Sequence, residues 1–235
     1  MKFMMLKNLF LISFFVVSFT GFVAAQEPTP TPTPASTKKT NQRPPSETTQ
    51  KTTEPFDTAD VKKMAAQCAR LETELGNIEL EFFPESAPES VRNFLNLSAI
   101  GFYDTTLFSR VVPNFVVQGG NLGTRLVKPD GFFSRARRNV PDEPSLIKHE
   151  RGIVSMARGD EPNSASTHFF ILVSDSKHLD GKFAAFARVT KGMEVVDEIN
   201  KMPVVEEKPE KPVRLLKVVL TTCLAPKPTE TENQL

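Results

Sequence analysis

One arginine of this 235-residue chain lies inside an apolar stretch, where a charged side chain needs an explanation. The stretch is residues 108–120, FSRVVPNFVVQGG, and strand alternation would place Arg110 on the same face as Val112. Burial of an unpaired guanidinium costs several kcal/mol. Arg110 therefore either extends its charged end to solvent or is paired and acts on a ligand. Residue types alone leave both interpretations open.

The other side chains capable of catalysis form no recognisable metal or hydrolase motif. His149, His168 and His178 are separated by nineteen and ten residues, without the helical spacing of a zinc site. Ser155 stands in the sequence VSMA and not in the G-x-S-x-G motif of serine hydrolases. Two cysteines are too few for a four-cysteine zinc site. We therefore expect neither a metal nor a cofactor.

Short strands would have to position these residues. Apolar and charged residues alternate on both sides of Gly76-Asn77, which predicts a β-hairpin with that two-residue turn and one buried face. Helical spacing of apolar residues predicts one helix from residue 87 to Gly101 and another over Met193–Lys201. Further strands are predicted over residues 108–112, 115–118, 153–157, 168–173, 183–189 and 213–221. Many short strands with two helices favour a closed antiparallel barrel or a sandwich.

Composition divides the chain into four segments. Residues 1–25 carry two early lysines, an apolar run of about fifteen residues and a final Ala24-Ala25, the pattern of a secretory signal peptide. An uncleaved anchor is the alternative, but a spanning helix needs about 20 apolar residues. Residues 26–66 predict a disordered Pro/Thr-rich spacer with a short helix near its end. Residues 67–224 predict the globular domain, and residues 225–235 a disordered tail.

The charge balance and the predicted signal peptide at residues 1–25 narrow the possible partners and the location of the protein. There are 29 Lys and Arg against 28 Asp and Glu, without the basic excess that nucleic-acid binding requires. We expect no nucleic-acid partner and no membrane span in the mature chain. The leader predicts an exported protein, in a periplasm or outside the cell.

The stretch around Arg110 resembles the signature of the cyclophilin-type peptidyl-prolyl cis-trans isomerases, F-x-R-V-V-P-x-F-x-x-Q-G-G. The similarity continues through residues 152–158 (GIVSMAR), 162–171 (PNSASTHFFI), 179–182 (LDGK), Phe186 and 191–193 (KGM). It covers residues 69–224 in the family's order and spacing. The resemblance implies a mainly β fold, a closed eight-stranded antiparallel β-barrel capped by two α-helices.

The same resemblance implies an activity and a site. The chain would isomerise X-Pro bonds of exported proteins, with Arg110 stabilising the twisted amide and Gln118 orienting Arg110 and the substrate. The implied substrate-binding residues are Phe115, Val116, Ala157, Arg158, His168, Phe170, His178, Leu179 and Phe183. Positions 168, 178 and 183 depart from the best-known eukaryotic members, which have glutamine, tryptophan and histidine there. The partners would be proline-containing unfolded or exported polypeptides, bound by a monomer.

A disulfide also follows from the resemblance. In the family the first and last strands are antiparallel neighbours, and Cys68 and Cys223 flank those strands here. Export to an oxidising compartment would then allow Cys68 and Cys223 to pair. Two free thiols in a cytoplasmic protein are the alternative.

The loop over residues 124–138 departs from the family, which often has a glycine-rich loop here. The loop contains five basic residues and one acidic residue, Asp130. One hypothesis is that the basic residues form a positive rim beside the proline pocket, so that the site prefers substrates with acidic residues upstream of proline. A solvated basic loop without a role is the alternative.

Two other functions stay open at this point. A non-catalytic proline-peptide-binding or chaperone module could use the same fold. A small-ligand barrel of the lipocalin type would need a large open cavity, and the many phenylalanines favour a filled barrel instead.

Overall fold

The computed structural model describes residues 53–223. The predicted signal peptide, the spacer up to residue 52 and the predicted tail lie outside these residues. The helices are α1 Val61–Ala65, α2 Pro88–Ala99, α3 Phe132–Ala136 and α4 Met193–Asn200, with 3-10 turns at Leu122–Thr124 and Lys177–Leu179. The strands are β1 Gln67–Thr73, β2 Gly76–Phe82, β3 Thr106–Leu107, β4 Arg110–Val112, β5 Val116–Gly119, β6 Ile153–Met156, β7 Phe169–Leu172, β8 Ala185–Lys191, β9 Val204–Val205, β10 Lys208–Pro209 and β11 Arg214–Thr222.

The main sheet is antiparallel and runs in the order β3-β11-β1-β2-β8-β6-β7-β5-β4. Its two edge strands, β3 and β4, are consecutive in the chain and are separated only by Phe108 and Ser109. The Phe108 N–H donates to Val213 O on one edge, and the Ser109 N–H donates to Gln118 O on the other. One broken strand thus joins both edges of the curled sheet. The predicted mainly β fold is confirmed, with nine sheet strands instead of eight because this strand is interrupted.

The predicted hairpin forms from β1 and β2, but its predicted turn at Gly76-Asn77 is wrong. Thr73 pairs with Gly76, so the two turn residues are Glu74 and Leu75. The Thr73 hydroxyl donates to Gly76 O at 2.7 Å and accepts the Leu75 N–H at 3.1 Å. This side-chain hydrogen bonding closes the turn before Gly76, whose φ of 136° suits only glycine.

Two longer helices cover the sheet, as predicted. Helix α2 begins with Pro88 at its first turn, where the missing N–H of proline has no consequence. The carboxylate of Glu143 accepts the N–H groups of Glu89 and Ser90, each at 2.8 Å, and so caps this helix from a distant loop. Helix α4 buries Val195, Val196 and Ile199, the apolar residues whose helical spacing predicted it.

Aromatic side chains fill the interior of the barrel. The ring of Phe94 on α2 lies 5.0–5.6 Å from the rings of Phe82, Tyr103, Phe169 and Phe186. These rings are buried, so the barrel holds a packed core at their level. The lipocalin-like alternative, which needs an open interior, is therefore excluded.

Residues that precede the predicted boundary of the domain pack onto its core. Phe56 and Met64 are buried in the core, although they precede residue 67. Arg92 donates to the main-chain oxygens of Phe56 at 2.8 Å and Ala59 at 2.6 Å. We call residues 53–66 the N-terminal strap. Its few apolar residues stand among polar ones, which is why composition assigned the whole segment to the spacer.

The structure contains the Cys68–Cys223 disulfide, with the two Cα atoms 5.0 Å apart. Cys68 lies within β1 and not before it, while Cys223 directly follows β11. Antiparallel pairing of Gln67 with Thr222 brings the cysteines together, and the Cys223 N–H donates to Ala66 O at 3.0 Å. The disulfide thus joins the first and last strands of the sheet.

Within residues 53–223, no helix combines the length and the hydrophobicity needed to cross a membrane.

Candidate active site

The β4–β5 hairpin positions the two predicted catalytic residues. Arg110 pairs directly with Gln118 across the hairpin, so both side chains lie on the same face. The Arg110 Nη1 donates to Gln118 Oε1 at 3.2 Å. At the hairpin's other end, the Asn200 side chain accepts the Asn114 N–H at 2.8 Å and donates to Val112 O at 2.9 Å. Helix α4 thereby holds the hairpin in place.

A second contact on Arg110 comes from a residue that the sequence did not suggest. The Arg110 Nε donates to Glu207 Oε2 at 2.7 Å, and the side chains are 40% and 49% exposed. Glu207 lies in the turn between β9 and β10, 97 residues further along the chain. The Arg110 guanidinium is therefore paired and also partly exposed to solvent, and its action on a ligand stays a prediction. No local pattern around Glu207 could have identified its partner.

Apolar side chains form the floor beside Arg110. Phe170 on β7 pairs with Gln118, which places its ring next to the β4–β5 hairpin. The rings of Phe170 and Phe183 meet at 5.8 Å between centroids, edge to face. Phe115 lies 5.5 Å from the ring of His178, and Val116 and Leu179 are buried in the same cluster. Phe170, Phe183, Phe115, Val116 and Leu179 create an apolar surface of the kind that a proline ring would contact, and His178 lies at its edge.

The remaining predicted residues, Ala157, Arg158 and His168, line the same cavity. The Ala157 N–H donates to His168 O at 2.9 Å, which joins the ends of β6 and β7. The guanidinium of Arg158 lies 5.1 Å above the ring of Phe183, and its Nε is 3.7 Å from the carboxylate of Asp142. Burial lowers the pKa of His168, so this side chain is neutral at pH 7.

All eleven predicted catalytic and substrate-binding residues line one open cavity of about 600 Å³. Gly159, Ser164 and Ser166 line it too and were not predicted as site residues. Ser164 and Ser166 belong to the PNSAS sequence that carried the resemblance, so the signal was present although no role was assigned to it. The cavity combines a fixed cation with an apolar floor.

The basic loop over residues 124–138 contributes no residue to the cavity lining, and the preference for acidic residues upstream of proline stays a prediction. Arg125 donates to the main-chain oxygens of Gly101 and Asp104, and Lys128 donates to Arg125 O at 2.9 Å. Arg135 and Arg138 both pair with the carboxylate of Glu54 in the N-terminal strap. None of these residues lines the cavity, because main-chain oxygens and Glu54 hold them elsewhere.

A buried Ser–His–Asp network lies among the described residues, outside the cavity. Ser155 Oγ lies 3.0 Å from His149 Nε2, and His149 Nδ1 lies 3.2 Å from Asp180 Oδ1. Ser155 and His149 are at most 1% exposed, so no substrate could reach the hydroxyl. Burial lowers the pKa of His149 more than Asp180 raises it. The network therefore ties β6 to the turn that carries Leu179, and it does not support a hydrolase.

The family model for the cyclophilin type peptidyl-prolyl cis-trans isomerases matches residues 68–220. That match spans all but the outermost residues of β1 and β11 and includes every cavity residue. The chain belongs to this family. Its enzyme class is therefore isomerase, and cyclophilins bind proline-containing peptides.

Curated relatives carry the same enzyme name. A peptidyl-prolyl cis-trans isomerase of Acinetobacter baylyi is 35% identical over 166 residues, which cover 66% of this chain and 86% of that protein. Peptidyl-prolyl cis-trans isomerase A of Dickeya dadantii is 40% identical over 143 residues, which cover 56% and 70%.

Solved structures share the fold. The crystal structure of a cyclophilin type isomerase of Cryptosporidium parvum matches with a TM-score of 0.59 and 28% identity, covering 67% of this chain and 99% of that one. A second structure of that protein, in the presence of the dipeptide Ala-Pro, matches with the same score and identity, covering 66% and 99%.

Proposed function

We propose that this cyclophilin accelerates folding of exported proteins by isomerising their X-Pro bonds, with Arg110 stabilising the twisted amide. One observation carries the role of Arg110. Its guanidinium is held by Gln118 and Glu207 at the wall of a cavity whose floor is apolar. A proline ring on that floor would place its nitrogen beside a fixed donor.

The chemistry requires no proton transfer and no covalent intermediate. Amide resonance sets a rotation barrier of about 18–20 kcal/mol. In the twisted state that resonance is lost, and the prolyl nitrogen regains a lone pair that can accept a hydrogen bond. A guanidinium N–H aimed at this nitrogen stabilises the twisted state more than either planar state, and only such selective stabilisation accelerates the step. Each 1.4 kcal/mol of it gives about a tenfold higher rate.

The cavity floor supports binding of the substrate as well. Phe115, Phe170 and Leu179 offer the apolar contacts that a proline ring needs to leave water. The related Cryptosporidium structure was solved in the presence of Ala-Pro, the smallest X-Pro peptide. We propose the same ligand class for the cavity described here.

Export is supported by two independent features. Residues 1–25 have the pattern of a secretory signal peptide. The Cys68–Cys223 disulfide is a bond that persists in oxidising compartments and is rare in the cytosol. We place the working enzyme in a periplasm or outside the cell, where unfolded exported chains would be its substrates. Cell fractionation tests this location, and a cytosolic enzyme would overturn it.

The test of the mechanism is isomerisation of a short Ala-Pro-Phe peptide by wild type and by the Arg110→Ala variant. We expect kcat/KM to fall about a hundredfold, as for loss of a single transition-state donor in other enzymes. Arg188→Ala is the matched control, since Arg188 forms an exposed ion pair with Glu81 away from the cavity. Equal rates for wild type and Arg110→Ala would refute the role of Arg110. Peptide binding by the wild type without acceleration would indicate a proline-binding chaperone module instead.

A further inference from the structure

Glu207 reaches the cavity arginine from a hairpin that is remote in sequence. We propose that Glu207 is a positioning residue, which fixes the plane of the Arg110 guanidinium for the twisted amide. This proposal rests on the function proposed above for Arg110. It assigns a role to the short β9–β10 hairpin, none of whose residues lines the cavity.

Two hydrogen bonds at different nitrogens determine the orientation of a planar guanidinium. Glu207 accepts from Nε at 2.7 Å, and Gln118 accepts from Nη1 at 3.2 Å. Neither contact uses Nη2, so this nitrogen can serve a ligand while the other two are held. The shorter bond is the one to the charged partner, as expected for a charge-assisted hydrogen bond. Gln118 alone would leave the guanidinium free to rotate about one contact.

The backbone of the turn shows why the carboxylate stays at this position. The Glu207 carbonyl accepts the Val111 N–H at 2.8 Å, so the turn is attached to β4 beside Arg110. Glu206 and Glu207 have positive φ angles of 48° and 62°, which glycine or asparagine would adopt at lower cost. Because Glu206 shares this conformation, the positive φ belongs to the two-residue turn itself. The main-chain bond to Val111 and the side-chain bond to Arg110 together fix the Glu207 carboxylate.

The proposal predicts which kinetic constant changes. A positioned guanidinium stabilises the twisted state more than the bound ground state, so loss of positioning lowers kcat and leaves KM nearly unchanged. The half-exposed ion pair limits the effect, and we expect Glu207→Ala to lower kcat about three- to fivefold. Glu207→Gln can still accept the Nε hydrogen bond, and we expect it to recover kcat to within about twofold of wild type.

The control is Glu206→Ala, since Glu206 lies in the same turn with the same sign of φ and does not contact Arg110 in the described structure. We expect its kcat to equal that of wild type. The Nε–H resonance of Arg110 in NMR spectra gives a readout that does not depend on activity. It should be protected from exchange in wild type and Glu207→Gln, and lose that protection in Glu207→Ala.

Combining Glu207→Ala with Arg110→Ala separates this proposal from the function on which it rests. If Glu207 acts through Arg110, the double variant has the rate of Arg110→Ala alone. A further loss of rate in the double variant, or a Glu207→Ala enzyme with wild-type kcat, overturns the positioning role. Wild-type activity in Arg110→Ala would instead refute the proposed function of Arg110, and with it this inference.

Discussion

Removal of the Cys68–Cys223 disulfide should weaken the fold and leave catalysis intact. The two cysteines are 155 residues apart, so the bond closes nearly the whole domain into one loop. The chain-entropy relation gives about 5 kcal/mol for a loop of this length, as an upper figure. Strands β1 and β11 keep their pairing without the bond, and we expect the free energy of unfolding to fall by about 2–4 kcal/mol in a Cys68→Ser/Cys223→Ser variant.

Urea denaturation of the oxidised wild type and the double serine variant measures this loss. The effect lies mainly in the unfolded chain, which expands when the cross-link is gone. The m-value should therefore be larger in the variant, because unfolding then exposes more surface. Tm should fall by about 10 °C, given about 2–4 °C per kcal/mol for a domain of this size.

The isomerisation rate at low temperature supplies the control. Neither cysteine lines the cavity, so kcat/KM at about 10 °C, where both proteins are folded, should be equal. A loss below about 1 kcal/mol with an unchanged m-value would refute the view that the disulfide acts on the unfolded chain.

Two further predictions concern two histidines and one buried ion pair. Burial lowers the pKa of both His149 and His168, so the unfolded chain takes up these protons first as pH falls. The free energy of unfolding therefore keeps its full value above about pH 6.5 and declines below it, by at most about 1.4 kcal/mol per pH unit for each histidine. Urea denaturation at pH 7.5 and pH 5.5 measures this decline. Glu54→Ala should lower the free energy of unfolding by about 3 kcal/mol, because it leaves the buried guanidinium of Arg135 without its carboxylate. Glu81→Ala, which removes the exposed ion pair with Arg188, is the matched control and should cost less than about 1 kcal/mol.

Each of these two predictions can be contradicted by a specific result. An NMR titration that places the pKa of both histidine rings at or above 6.5 would contradict the first. Equal unfolding free energies for Glu54→Ala and Glu81→Ala would show that the pair of Glu54 with Arg135 contributes no more than an exposed salt bridge.

The sequence contained most of the local structure. Alternation predicted β1 and β2, and helical spacing predicted α2 and α4, because a single face of each element is buried and the periodicity records it. The hairpin turn was placed two residues too late, since Gly76-Asn77 has the composition of a turn. Hydrogen bonds of the Thr73 hydroxyl, which composition does not reveal, closed it earlier.

The resemblance to the cyclophilins brought the cavity residues together in advance. They come from separate strands and turns between residues 110 and 183, and no periodicity relates one to another. Only the family signature supplied their shared location. The basic loop showed the limit of charge counting, because Arg125 and Arg135 are occupied by main-chain oxygens and by Glu54.

The amino-acid sequence was enough to predict most secondary-structure elements, the mainly β class and the unusual position of Arg110. The partners of Arg110 and the packing of the N-terminal strap onto the domain depend on the folded chain. Glu207 meets Arg110 across 97 residues, and Glu54 meets Arg135 across 81. Local patterns carry information over a few residues of a helix or strand, whereas these pairs exist only because the folded chain brings distant segments into contact.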